Sequence, residues 1–202
     1  MKSTHRKKSH HRIKEKKEKY LLSEFRSIGQ RLMNEHLIGG NFGNMSVRAK
    51  DGFYITPTGS FLNDPGSIVY VSLQGDAPKQ ASSEYRVHRD AYIKTNAQAI
   101  VHVHPPYAVS VSLLSDQKSL TPIDSEGKMF APTIPIVTGE PGTQDLATRV
   151  SDALTHASSC IAVGHGTFSI GKTLEEAYLL SSLIEHSCTV LMLTGQVQAH
   201  KK

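Results

Sequence analysis

The chain is poor in the features that most quickly decide a protein's class. Its 202 residues hold two cysteines, Cys160 and Cys188, too few for a disulfide framework and without CxxC spacing. They read as small core residues of a reducing compartment, so a cytoplasmic address is expected. No apolar run approaches membrane-spanning length; the best, Cys188 to Leu193, is far too short. The basic start is not a secretory signal, because Leu21 and Leu22 give way to Glu24, Arg26 and Arg31 instead of an apolar core. Neither a GxxxxGK[ST] phosphate loop nor a full GxGxxG fingerprint occurs.

Positive charge is also scarce, except at one end. The formal net charge is +5, from 23 Lys and Arg against 18 Asp and Glu. Nine of those cations and only two of the acids lie in residues 1–20, a net of +7 that leaves the rest at −2. A nucleic-acid-binding body is therefore not expected, and weak contact by the basic segment is the only opening for nucleic acid. Residues 1–19 have almost no apolar side chains and are expected to form a disordered tail. Residues 20–202 are the right length for a single domain with its own core.

Periodicity supplies the elements. Leu21, Leu22, Phe25, Ile28, Leu32, Met33 and Leu37 form one helical face, closed by Gly39-Gly40. Short strands are expected at 45–49, 53–56 and 68–73, then a helix over 83–94 and a strand over 99–104. A helix follows Pro105-Pro106, and a strand covers 134–137. Thr143 is placed to cap another helix, strands cover 160–164 and 167–170, and a long helix runs from Thr173 to Leu193. Thr173 and Glu176 have capping-box spacing. The class expected is α/β, with a mixed sheet flanked by helices.

The chemistry is concentrated in histidine. His102 and His104, two apart in a strand, share one face, and Pro105-Pro106 stiffens the chain just after them. On its own this pair is as well explained by two unrelated polar residues. His165 shifts the balance, because Gly164 and Gly166 on either side let the backbone bend and approach a ligand. Three imidazoles leave open positions on a divalent ion, the pattern of a catalytic site, and zinc suits them best. His88 lies one turn after Glu84, where lining the site and a structural hydrogen bond are both open. His36, His156, His186 and His200 carry no such pattern.

Three turns are suited to an anion. One is the glycine-rich segment 39–48, containing Gly43 and Asn44; another is 56–60, containing Thr58 and Gly59. The third is Ser82-Ser83, at a helix start. Glu84 falls in the first turn of that helix, where a carboxylate is both stabilised and placed for proton transfer.

Taken in order, GNMSVR, ITPTGS, SSEYRVHRDAY, VHVHPPYAVSVS and GHG resemble the class II aldolase/adducin family, in particular its short L-fuculose-1-phosphate aldolase branch. The resemblance spans about residues 20–193. It implies an αβα sandwich with a central mixed, mostly antiparallel sheet, and a homotetramer with interfacial sites. It also implies one divalent metal per chain, most often Zn2+, on His102, His104 and His165. Glu84 would be the proton acceptor and would ligate the metal in the resting state. Phosphate would sit on Gly43, Asn44, Thr58, Gly59, Ser82 and Ser83. The implied reaction cleaves a small ketose 1-phosphate, such as L-fuculose 1-phosphate, to dihydroxyacetone phosphate and an aldehyde such as lactaldehyde. No Schiff-base lysine is needed.

The sequence departs from that branch where tyrosines assist the aldehyde side. Ile123 to Gly127 has no tyrosine, and the longer C-terminal tail with a second one is not present. Asp124 and Glu126 are the substitutes nearest to hand. A sugar-acid-phosphate decarboxylase is a competing reading. A pentulose-phosphate 4-epimerase is another, although its relatives carry aspartate where Glu84 stands. A non-catalytic adducin-like module would lack the histidine set.

Overall fold

A computed structural model describes the backbone of residues 2–197 and the side chains of residues 16–197. Eight strands form the central sheet: β1 (Asn44–Ala49), β2 (Gly52–Ile55), β3 (Val69–Ser72), β4 (Ala99–Val103), β5 (Ser119–Leu120), β6 (Ile134–Val137), β7 (Ser159–Ala162) and β8 (Gly166–Gly171). Their spatial order is β3-β2-β1-β4-β8-β7-β6-β5. Every neighbouring pair is antiparallel except β6 with β7. The helices are α1 (Lys2–Asn34), α2 (Tyr85–Lys94), α3 (Pro106–Leu114), α4 (Ser125–Phe130), α5 (Gln144–Ala153) and α6 (Leu174–Leu193).

The helices lie in two layers, which makes the architecture αβα. On one face Val87, Ala91 and Tyr92 of α2 and Leu146 and Val150 of α5 pack with Phe53, Ile100 and Phe168 of the sheet. On the other, Phe25 and Leu32 of α1 and Leu174 and Tyr178 of α6 pack with Met45, Val101 and Val103. The side chains of β4 therefore alternate between two cores, and all five residues of the strand are buried. Such burial suits a central strand with helices on both sides. It is also why His102 is 1% exposed and not at the half-exposed position a lone alternating strand would suggest.

Several boundaries differ from the sequence reading. Helical backbone runs from Lys2 through the expected tail boundary without a break. Lys, Arg and Glu are straight-chain residues that lose little rotamer freedom in a helix. The same helix ends at Asn34, before Gly39-Gly40. His36 takes the left-handed turn at φ 57°, and the Leu37 N–H closes on the Leu32 carbonyl at 2.9 Å. Strand β5 and helix α4 had no periodic signal because they are two and six residues long. Thr173 does cap α6, accepting from the Glu176 N–H at 3.1 Å, but the Glu176 carboxylate reaches back to the Lys172 N–H instead of Thr173's own.

Candidate active site

The three histidines come from two adjacent strands. His102 lies on β4, His104 follows its end, and His165 sits in the tight turn joining β7 to β8. The ring centroids are 4.7–4.9 Å apart. One ligand nitrogen from each histidine lies within 4.8 Å of the others, so the group could hold a metal ion. Gly166 makes this possible. A Cβ there would stand 2.2 Å from the Val103 carbonyl oxygen, so only glycine lets β8 approach the end of β4 so closely.

Protonation favours metal binding. His102 Nδ1 lies 2.9 Å from the Thr167 carbonyl, which can only accept, so Nδ1 carries the proton and Nε2 keeps its lone pair. His104 Nε2 is 3.0 Å from His102 Nε2. Two nitrogens bonded to one zinc stand about 3.3 Å apart at tetrahedral angles, close to this spacing. Burial lowers the pKa of all three rings; the mutual proximity of the rings adds to the effect at His102 and His165, and His165 falls to about 4. All three are neutral ligands at neutral pH. Among the described residues the buried Glu84 Oε2 has no hydrogen-bond partner, as expected of a group that meets a ligand. The residues present fit a divalent ion with three imidazoles.

Glu84 is 4% exposed and its Oε1 lies 4.0 Å from His165 Nε2. It stands at the N-cap of α2, one position before the first turn expected for it. The Gly142 N–H donates to its Oε1 at 2.8 Å. Burial raises the Glu84 pKa, and the Gly142 N–H and the Arg86 charge partly oppose that rise. Placement at a helix start is thus not the controlling influence on this carboxyl.

The three anion-suited turns are joined by hydrogen bonds. Asn41 Nδ2 donates to the Gly59 carbonyl at 3.4 Å, linking the first turn to the second. The Thr58 N–H donates to the Gln80 carbonyl at 2.9 Å, and Pro57 bridges to Ala81, linking the second to the third. Gly43, at φ 82°, lies so close to the His102 carbonyl that a Cβ would stand 2.6 Å from it. Asn44 is opposite His102 in the sheet register, with Oδ1 buried and unpartnered. Ser82 is buried and its Oγ accepts from the Glu84 N–H at 3.4 Å, whereas Ser83 is exposed. The residues expected to cradle phosphate therefore share one neighbourhood with Glu84 and the histidines.

Other candidates fall outside this group. His88 is fully buried and bonded through Nδ1 to Ser46 Oγ at 2.6 Å, and that oxygen also lies 2.7 Å from Tyr92 OH. This is the structural hydrogen bond, not a fourth ligand. Asp124, a substitute for the aldehyde-side tyrosine, instead caps α4 by accepting from the Gly127 N–H at 2.7 Å. Glu126 is exposed and accepts from Ser125. His200 lies outside the described residues. Gly142 and Thr167 were missed in sequence. They act through backbone groups, which every residue carries, so no residue-type signal exists for them.

The chain is similar to known proteins over most of its length. The family profile described as the Class II Aldolase and Adducin N-terminal domain matches residues 23–192. The L-fuculose phosphate aldolase of Methanococcus maripaludis is 34% identical over 170 residues, covering 81% of this chain and 91% of the relative. The 5-methylthioribulose-1-phosphate/5-deoxyribulose-1-phosphate aldolase of Rhodospirillum rubrum is 31% identical over 160 residues, covering 72% and 68%. The crystal structure of the l-fuculose-1-phosphate aldolase of Thermus thermophilus superposes with a TM-score of 0.82 at 34% identity, covering 90% of this chain and 98% of the other.

The chain belongs to the class II aldolase/adducin family. It is an enzyme of that family's catalytic branch, an aldehyde-lyase of sugar-phosphate metabolism.

Proposed function

We propose that the protein is a metal-dependent aldolase that reversibly cleaves a small ketose 1-phosphate to dihydroxyacetone phosphate and an aldehyde. The observation that carries this reading is the buried Glu84 carboxylate, one oxygen unpartnered, 4.0 Å from one of three clustered neutral histidines. His102, His104 and His165 would hold the ion, with Zn2+ the best match to three imidazoles. When bound, a divalent ion supplies Lewis acidity for the substrate's carbonyl and hydroxyl oxygens, which lowers the cost of enediolate charge.

The chain's own groups do the rest. Gly43, Asn44, Thr58, Gly59, Ser82 and Ser83 would hold the phosphate through hydroxyls, amide and backbone N–H groups. In cleavage Glu84 would protonate the enediolate carbon; in synthesis it would take that proton from dihydroxyacetone phosphate. A carboxyl raised by burial, yet with one oxygen steadied by a backbone N–H, is suited to both directions. In the resting state Glu84 would turn to the ion.

The relatives are named for action on L-fuculose phosphate and on 5-methylthioribulose 1-phosphate or 5-deoxyribulose 1-phosphate. All are ketose phosphates, and L-fuculose 1-phosphate, releasing lactaldehyde, heads the panel to be tried. The same reading includes a homotetramer with interfacial sites, a cytoplasmic address, and residues 20–202 acting as one aldolase-like domain. The test is a panel of ketose 1-phosphates offered to zinc-loaded protein, with dihydroxyacetone phosphate measured. EDTA-sensitive release from at least one is expected; none from any would overturn the reading. Carbon dioxide from a 3-keto sugar-acid phosphate would instead favour the decarboxylase.

A further inference from the structure

The two oxygens of Glu84 are unlike. Oε1 accepts the Gly142 N–H at 2.8 Å, whereas Oε2 is buried and has no partner among the described residues. Gly142 belongs to the link 138–143 between β6 and α5, and it lies 58 residues from Glu84 in sequence. Something must hold that link in place if its N–H is to stay on one oxygen.

Arg86 does so. It lies two residues after Glu84, in the first turn of α2. Its Nη1 donates to the Gly142 carbonyl at 3.2 Å. Its guanidinium carbon lies over the Tyr85 ring, 4.6 Å from the centroid, a cation–π contact that favours this placement of the donor. Glu84 and Arg86 thus grip one residue from one helix start, the first through its N–H and the second through its C=O. The link's other hydrogen bonds do not reach Gly142: the Thr143 N–H and Oγ1 donate to the Glu140 carbonyl within the link, and Thr143 Oγ1 and its carbonyl accept the Leu146 and Ala147 N–H groups at the start of α5.

We propose that Arg86 is a positioning residue for proton transfer. By holding Gly142 it keeps Oε1 occupied and presents Oε2 to the substrate carbon. This rests on the reading of Glu84 as the acid and base. A carboxylate without that anchor turns freely about its last torsion. Proton transfer then has to wait for the productive orientation, and rate falls without any loss of substrate contacts.

Two variants separate anchoring from general stability. Arg86→Met keeps the stem and removes the donor; Arg86→Lys keeps a donor. The first measurement is hydrogen exchange of the Gly142 amide in metal-free protein. Exchange about tenfold faster than wild type is expected in Arg86→Met. In Arg86→Lys it is expected to stay within about threefold. The second is solvent-proton exchange into the hydroxymethyl group of dihydroxyacetone phosphate by zinc-loaded protein, which needs no aldehyde. In Arg86→Met, kcat is expected to fall about 10–100-fold with KM little changed and zinc affinity unaltered. An unchanged Gly142 exchange rate overturns the proposal. So does proton exchange lost in Glu84→Gln but unaffected in Arg86→Met, a result that leaves the aldolase reading intact. Faster Gly142 exchange in Arg86→Met, with no proton exchange by wild type, supports the anchor and overturns Glu84 as the base.

Discussion

Glu185 of α6 caps α3 by accepting the Tyr107 N–H at 2.9 Å on one carboxylate oxygen and the neighbouring Ala108 N–H at 2.8 Å on the other. Helix α3 begins immediately after His104-Pro105, and Pro105 at its N-cap has no side-chain acceptor. The first turn's N–H groups therefore have no local partner. A residue 78 positions away supplies it, and in doing so steadies the turn that leads out of the histidine pair.

Removing that cap should be felt in stability. Glu185→Ala strands two donors and is expected to cost about 1–3 kcal/mol in denaturant unfolding of the metal-free protein. Glu185→Gln keeps one neutral acceptor and should lose less. An unchanged midpoint for Glu185→Ala would show the cap to be idle.

Metal stoichiometry tests the histidine group directly. Wild-type protein is expected to bind one divalent ion per chain. His104→Ala or His165→Ala should weaken zinc binding by at least about tenfold in chelator competition, since each removes one of three ligands. Retained affinity in both would move the metal elsewhere.

Glu84→Gln isolates proton transfer from metal binding. The amide is nearly isosteric but cannot take up a proton. Turnover is expected to fall by about 10²–10⁴-fold with zinc content retained. Activity within a few-fold of wild type would remove Glu84 from the chemistry.

His88 ties stability to pH. It is fully buried, and burial lowers its pKa from 6.5 to about 3. The unfolded chain then binds a proton that the folded one refuses between those values. The contribution to stability is complete above about pH 6.5 and is lost as pH falls toward 3. His88→Gln does not titrate, so in metal-free protein the stability advantage of wild type over this variant should shrink from pH 7 to pH 4. A gap constant with pH would contradict this.

Gly166 is expected to tolerate nothing larger. The Cβ of Gly166→Ala would meet the Val103 carbonyl, a backbone atom that cannot swing aside. A cost of about 1–3 kcal/mol is expected, together with weaker zinc binding, because β8 and the His165 turn must move. Wild-type stability and affinity would show that the strands part easily.

Legibility in the sequence followed the range of the interaction. Strand β6 was placed at both ends, and Thr143 and Thr173 were identified as caps, because periodicity and capping are local. The end of α1 was not, because it depends on His36 adopting a left-handed turn that glycine usually takes. The Glu185 cap and the Gly142 contact were invisible, because each joins a side chain to a backbone group far away in sequence.

By itself, then, the sequence determined the candidate ligand types and their order. His102-x-His104 on one strand face, His165 between glycines, and Glu84 after two serines are statements about short spacings, and short spacings set which side chains share a face. Only the tertiary structure decided that β4 and β8 are neighbours. That pairing brings His165 beside the other two rings, while contacts between distant segments join the three anion-suited turns to one another. It also decided protonation. Burial between two helix layers keeps the histidines neutral and raises Glu84, and depth in a fold is a property no single segment of chain possesses.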